Sequence, residues 1–224
     1  MHRMARPELA SLARSAEHPN LGTLRVAPYG RDHVLIDVSG PTTVTALRAA
    51  LLHEQPTLRP RPGWSSVLVR ATDSAKVLEL VMSLDVGFDR NSAADIAAPH
   101  HVIDTSYDGD DLETVARLTD LTVDAVIDAH RGATYCVVFL GFTRAFAYLD
   151  GLDPRLVSVP RLATPRVRVP SGSIGIAAGQ TGIYPMASPG GWHLLGHTDA
   201  ALFDTSRTPP SLLAPGDTVQ FRAV

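Results

Sequence analysis

From Tyr135 onward the chain consists of short apolar runs cut apart by glycine and proline: residues 137–140, 167–169, 174–177, 192–195 and 219–221. Runs of this length are strand-sized, and breaks at this density leave little room for helix. The pattern predicts a closed or nearly closed β-barrel. Its densest block, residues 175–198, reads GIAAGQTGIYPMASPGGWHLLGHT and carries almost no charge. Gly-Gln-Thr-Gly and Pro-Gly-Gly-Trp set tight turns beside side chains able to line a cleft. Gln180, Thr181, Tyr184 and Trp192 are therefore the expected pocket residues. Pro215-Gly216-Asp217 reads as the turn before the last strand.

Upstream the pattern differs. Residues 24–38 carry strand signals at Val34, Leu35, Ile36 and Val38, ended by Ser39-Gly40-Pro41. Thr42 or Thr43 is the expected cap of a helix bearing Val44, Leu47, Leu51 and Leu52. Proline at 56, 60 and 62 makes 55–63 a loop, and 67–69 a second strand. Asp73 or Ser74 should cap a second helix with Val77, Leu78, Val81 and Met82 on one side. These elements form an expected small α/β domain over 23–88, after a loose tail at 1–22. A boundary is expected within 85–99, and a second domain over 99–224. That domain opens with a strand at 101–105. A helix marked by Leu112, Val115, Ala116 and Leu118 follows, with Asp110 or Asp111 at its start. The next helix carries Val123, Val126 and Ile127, capped by Thr122 and ended near Gly132. The fold class is α+β.

Composition removes several functions. A net charge of −3 provides no basic surface for nucleic acid. No apolar run approaches the ~20 residues of a membrane helix, and no apolar h-region follows Met1. Cys136 is the only cysteine, so no intrachain disulfide forms; inside an apolar run it reads as a buried, inert thiol rather than a nucleophile. A cytoplasmic setting fits. The single lysine, Lys76, lies in a helical pattern, which excludes a Walker A loop. Ser171-Gly172-Ser173-Ile174-Gly175 lacks the first glycine of a nucleophile elbow. Adjacent His100 and His101 point to opposite strand faces, and His193 and His197 fall in strand and turn, so no metal site is expected.

Three further sets carry chemistry. Arg161, Arg166 and Arg168 lie in a proline-stiffened stretch, with Arg166 and Arg168 on one strand face. They read as an anion site or as a solvated face with surface ion pairs. His130 ends a helix, where protonation is favoured by about 0.3–1 kcal/mol; it reads as a cap or as an acid/base group. Phe142, Phe146 and Tyr148 belong either to a pocket wall or to a core.

Several segments together resemble one family. They are Asp108-Gly109-Asp110-Asp111-Leu112, His130, Phe139-Leu140-Gly141-Phe142, Tyr148-Leu149-Asp150-Gly151-Leu152-Asp153-Pro154-Arg155, Pro160-Arg161, Pro165-Arg166, Val169-Pro170-Ser171-Gly172-Ser173, Gly179-Gln180-Thr181-Gly182-Ile183-Tyr184-Pro185 and Ser188-Pro189-Gly190-Gly191-Trp192. The family is that of the 5-oxoprolinase B subunit, also called allophanate hydrolase subunit 1 or kinase A inhibitor. The resemblance implies a cyclophilin-like barrel after the α/β domain. It implies a second, barrel-related subunit of the allophanate hydrolase subunit 2 type (the 5-oxoprolinase C subunit), and in 5-oxoprolinases a third. It also implies ATP, used by the complex to open a small cyclic amide, 5-oxoproline, or to cleave a ureido acid. On that basis Arg161 and Arg166 would hold a carboxylate, Tyr148, Gln180, Thr181, Tyr184 and Trp192 would shape the pocket, and His130 would move a proton. The alternative is a regulatory protein that inhibits a sensor histidine kinase. The chain departs from the family at Arg144-Ala145-Phe146-Ala147, where Pro-Gly-Phe-Pro is usual, and at Gly30-Arg31, where Gly-Asp is usual. Prolyl isomerase activity is disfavoured, because the motif order of true cyclophilins is missing.

Overall fold

The computed structural model describes residues 13–86 and 98–224, and the chain divides into two compact units, Met1–Ala97 and Ala98–Val224. Most of the expected boundary, and residues 1–12 of the expected tail, lie outside the described residues. Among the described residues no helix is long and apolar enough to cross a membrane.

The first unit holds an antiparallel five-stranded sheet in the order β1-β2-β3-β5-β4. Its strands are β1 (Arg14–His18), β2 (Gly22–Tyr29), β3 (His33–Asp37), β4 (Arg61–Pro62) and β5 (Ser66–Val69), and its helices are α1 (Pro41–Glu54) and α2 (Ser74–Ser83). Alternation puts Leu24, Val26, Val34, Ile36, Val67 and Val69 inside. Val44, Leu47 and Leu51 of α1 and Val77 and Val81 of α2 are buried as well. Each fully buried side chain of this kind contributes about 1.5–3 kcal/mol.

Three expectations fail here, the first being the loop at 55–63, whose Arg61 and Pro62 form β4 against β5. Residues 14–18, assigned to the tail, form β1 and pair with β2. Arg-Ser-Ala-Glu-His has no apolar pattern; its anchor is His18, 4% exposed, whose Nδ1 accepts the amides of Asn20 and Leu21 and whose Nε2 donates to Leu84 O. α1 is not capped by Thr42 or Thr43. It starts at Pro41 after Gly40, with no side-chain cap bond, because proline needs no N–H partner in a first turn. The Asp73 cap is as expected: its carboxylate accepts the amides of Ala75 and Lys76.

The second unit starts with β6 (His100–Thr105), α3 (Leu112–Thr119) and α4 (Val123–Arg131). Next come β7 (Thr134–Leu140), β8 (Ala147–Asp150), β9 (Arg166–Val169), β10 (Ser173–Ala177), β11 (Gln180–Ile183), β12 (Ser188–Gly190), β13 (His193–His197) and β14 (Thr218–Ala223). Seven strands run β13-β10-β11-β8-β7-β14-β6, with β14–β6 the parallel pair. The sheet curls until its ends meet. Ser106, just past β6, exchanges both backbone hydrogen bonds with His197 at the end of β13, each 2.9 Å. The chain then follows the same edge, with Gly109 N donating to Leu195 O and Asp111 N to Leu194 O. This seam leaves no space for a Cβ. One on Gly196 would collide with the Ser106 carbonyl, and one on Gly109 would lie 2.6 Å from Gly196 N.

The barrel is filled by Ile103, Val137, Leu149, Ile174, Ile176, Ile183, Leu195 and Phe221, with Val115 and Val126 from the helices. β9 and β12 form a separate two-stranded ribbon. Thr122 caps α4 by accepting Ala125 N, as expected. Gly132 is the C-cap, but at φ −75° it is right-handed; its Cβ position lies 2.8 Å from Asp128 O, so crowding rather than a left-handed turn suits glycine there.

Candidate functional site

The expected pocket residues occupy two faces of one sheet. Side chains alternate along a strand, so neighbouring Gln180 and Thr181 point opposite ways. Thr181 lies opposite Leu149, a barrel-core residue, and Gly182 lies opposite Tyr148 on the outer face.

On the inner side Thr181 joins His130 in a closed polar chain. His130 is fully buried, against Phe221 (centroids 4.5 Å apart) and Tyr135 (5.5 Å). Its Nδ1 is 2.8 Å from the Tyr107 hydroxyl and its Nε2 is 2.9 Å from Thr181 Oγ1. Thr181 donates onward to Gly175 O, which assigns the Nε2–H tautomer: Tyr107 O–H to Nδ1, Nε2–H to Thr181, Thr181 O–H to a carbonyl. The chain of bonds ends on an acceptor, so it has no outlet for a proton. Burial lowers the His130 pKa to about 3. The protonated helix cap and the acid/base role expected of His130 are therefore corrected: α4 turns Val126, Ala129 and His130 inward, and burial outweighs the helix dipole.

That burial makes stability acid-sensitive. The ordinary histidine value of 6.5 applies to the unfolded chain. The folded value is lower, so on acidification the unfolded chain takes the proton first. The His130 contribution is complete above about pH 6.5 and falls by about 1.4 kcal/mol per pH unit below it, levelling near pH 3. Denaturant titrations between about pH 7.5 and 4 should show this slope, and His130→Gln should flatten it. An equal slope in the variant would assign the acid sensitivity to other groups.

The outer face carries an aromatic cluster. Phe146, 1% exposed, is its centre: Tyr148 lies 5.0 Å away, Tyr184 5.1 Å, Phe142 5.4 Å and Trp192 5.5 Å, all steeply inclined. Tyr148 also stacks on Phe139 at 4.3 Å. Edge-to-face and stacked pairs of this kind add about 0.5–1.5 kcal/mol each beyond area burial. Gly182 makes room, since its Cβ would lie 3.1 Å from the Phe146 ring. Tyr184 and Trp192 are thus buried members of a small core, and no open cleft separates them. Tyr148 is half-buried and Phe142 is 60% exposed. Burial raises the phenol pKa of both Tyr148 and Tyr184, and the positive charge of Arg161 opposes it in each.

The arginines separate as well. Arg161 is exposed and forms no ion pair among the described residues. Arg166 is engaged: its Nη2 meets both Asp111 oxygens at 2.8 and 2.7 Å, and its Nη1 donates to Trp192 O. Asp111 also accepts Leu194 N at 2.7 Å. Asp111 was expected only as a favourable charge at the start of α3; it is the N-cap residue there but makes no side-chain cap bond, because its carboxylate serves this cluster. This pairing occupies Nη2 of the guanidinium that was expected to hold a substrate carboxylate. Arg168, on β9, is exposed. Cys136 is partly buried, and burial raises its thiol pKa, so it is a poor nucleophile at neutral pH. Two surface clefts of about 340 and 680 Å³ flank Val102 and contain none of the expected residues.

Residues 24–213 match the family described as carboxyltransferase domain, subdomain C and D. The chain is 35% identical over 207 residues to the 5-oxoprolinase B subunit of Haemophilus influenzae, covering 88% of this chain and 97% of that one. The crystal structure of TTHA0988 superposes with TM-score 0.69 at 33% identity, over 86% of this chain; the match spans 40% of that longer chain. The urea carboxylase of Kluyveromyces lactis shares the fold, with TM-score 0.69 over 95% of this chain and 23% of its own, at 18% identity. The chain belongs to the carboxyltransferase subdomain C and D family, as a relative of the 5-oxoprolinase B subunit.

Proposed function

We propose that this chain is one subunit of an ATP-dependent amidohydrolase of the 5-oxoprolinase type, working in the cytoplasm with a second, barrel-related subunit and possessing no complete active site of its own. The observation that carries the reading is the 35% identity to a protein named as the 5-oxoprolinase B subunit, over 97% of its length. The outer aromatic face supports it. There Arg161 is a cation without a carboxylate partner among the described residues, next to aromatic rings that suit a small flat substrate. ATP belongs elsewhere in the complex: the one lysine, Lys76, lies in the first turn of α2, after no glycine-rich loop.

The test is reconstitution. Co-purification with the second subunit, and with a third where turnover needs it, should yield 5-oxoproline-dependent ATP hydrolysis. Arg161→Ala should raise KM for 5-oxoproline about 10–100-fold, as expected for loss of a charge-assisted hydrogen bond. An unchanged KM would remove Arg161 from the site, and failure of the subunits to associate would remove the reading.

A further inference from the structure

Gln180 is a buried polar side chain whose acceptor has nothing to bind. It is 8% exposed, and its Oε1 is sealed from solvent without a hydrogen-bond partner among the described residues. A buried acceptor left unpaired costs about 1–3 kcal/mol, and such groups are rare enough to need a reason. Strand geometry shows which face it serves. Gln180 and Gly182 are two apart on β11 and share the outer face. Gly182 lies opposite Tyr148, and Gln180 lies opposite Ala177, which packs with Phe146, Tyr184 and Trp192. Glycine at 182 lets the Phe146 ring lie directly against β11, 3.1 Å from where a Cβ would be, so the aromatic cluster reaches the strand that carries Gln180.

We infer that Gln180 is a specificity residue that reads the cis-amide edge of a substrate whose carboxylate is held by Arg161. The inference rests on the amidohydrolase reading. An amide inside a ring, or a ureido group, holds N–H and C=O side by side. A primary carboxamide holds C=O and NH₂ side by side in the same way. The two edges pair through two hydrogen bonds, whichever way the Gln180 amide is turned. An open-chain trans amide presents the two groups on opposite sides and makes only one. The ligand class is therefore a small, flat cyclic or ureido amide bearing a carboxylate, and aromatic neighbours suit its faces.

The 141–146 loop that carries Phe142 holds two non-glycine residues in the left-handed region, Phe142 at φ 62° and Ala145 at φ 60°. Each costs about 1–2 kcal/mol, so this loop is held strained beside the aromatic cluster.

The test uses the complex with its second subunit. Calorimetric titration with 5-oxoproline and with N-methyl-5-oxoproline is run beside turnover. Wild type should bind the N-methyl compound about 30-fold or more weakly, because a site built around a hydrogen bond rejects the analogue that lacks it. Gln180→Leu should bind 5-oxoproline about 30-fold more weakly and no longer distinguish the two. Gln180→Glu keeps the shape and loses the donor, so about tenfold weaker binding decides the matter where the leucine variant does not fold. Equal binding of both ligands by wild type, unchanged binding in the variants, or no 5-oxoproline binding at all overturns the role of Gln180. Discrimination without turnover sinks the 5-oxoprolinase activity and leaves Gln180 standing; turnover without discrimination does the reverse.

Discussion

Gly196→Ala is expected to destabilise the second unit by more than about 3 kcal/mol, lowering its calorimetric transition by about 10 °C. The new methyl group meets the Ser106 carbonyl oxygen and lies 3.0 Å from Ser106 C and from Tyr107 Cα, all main chain. Main chain cannot change rotamer to make way, so the seam must part. Parting it breaks the two 2.9 Å bonds between Ser106 and His197. Hydrogen exchange at those two amides should accelerate together, while the first unit keeps its protection. A transition shifted by less than about 2 °C would mean that the barrel does not depend on this closure.

Asp111→Ala should cost about 3 kcal/mol, the lower end for breaking a buried ion pair by removing one partner. The lower end applies because the Arg166 side chain is 27% exposed and recovers some water, whereas that of Asp111 is 10% exposed. The carboxylate serves three donor contacts: two from Arg166 Nη2 and one from Leu194 N. Removing it orphans a guanidinium and a strand amide together. Arg166→Met combined with Asp111→Ala should cost clearly less than the sum of the single changes, since the second change removes a charge that the first left unpaired. Additive losses would show that the two groups are not coupled. Asp111→Asn, which keeps one acceptor, should fall between wild type and alanine.

Much of the architecture was legible in the sequence because it rests on local rules. Apolar runs punctuated by glycine and proline marked barrel strands, except that the 167–169 run became β9 of the separate ribbon, and Asp73 and Thr122 stood where a side-chain oxygen caps a helix. Burial that depends on a distant partner was not legible. β1 has no pattern of its own and is a strand only because β2 lies beside it. Arg166 looked like a free anion receptor because Asp111 is 55 residues away in sequence. His130 looked like a helix end in water because nothing local says that α4 turns its last residues into the barrel. Gln180 and Thr181 are a different case. Adjacent strand residues cannot share a pocket, and the two-residue period by itself assigns Thr181 to the core and Gln180 to the outer face. Glycine at 196 carried no local signal, since it is required only by main chain arriving from elsewhere, and Gly109 stood out only as part of the family's Asp108-Gly109-Asp110 segment.

The parallel pairing of β6 with β14 also sets the order of events during synthesis. Arg222 reaches back 118 residues to Asp104, so the first strand of the second unit has no neighbour until the last one leaves the ribosome. Helices α3 and α4, and the antiparallel hairpins in between, can form as they emerge. The barrel itself cannot close until β14 is free, which makes its closure slow for its size and exposed to aggregation while β6 waits.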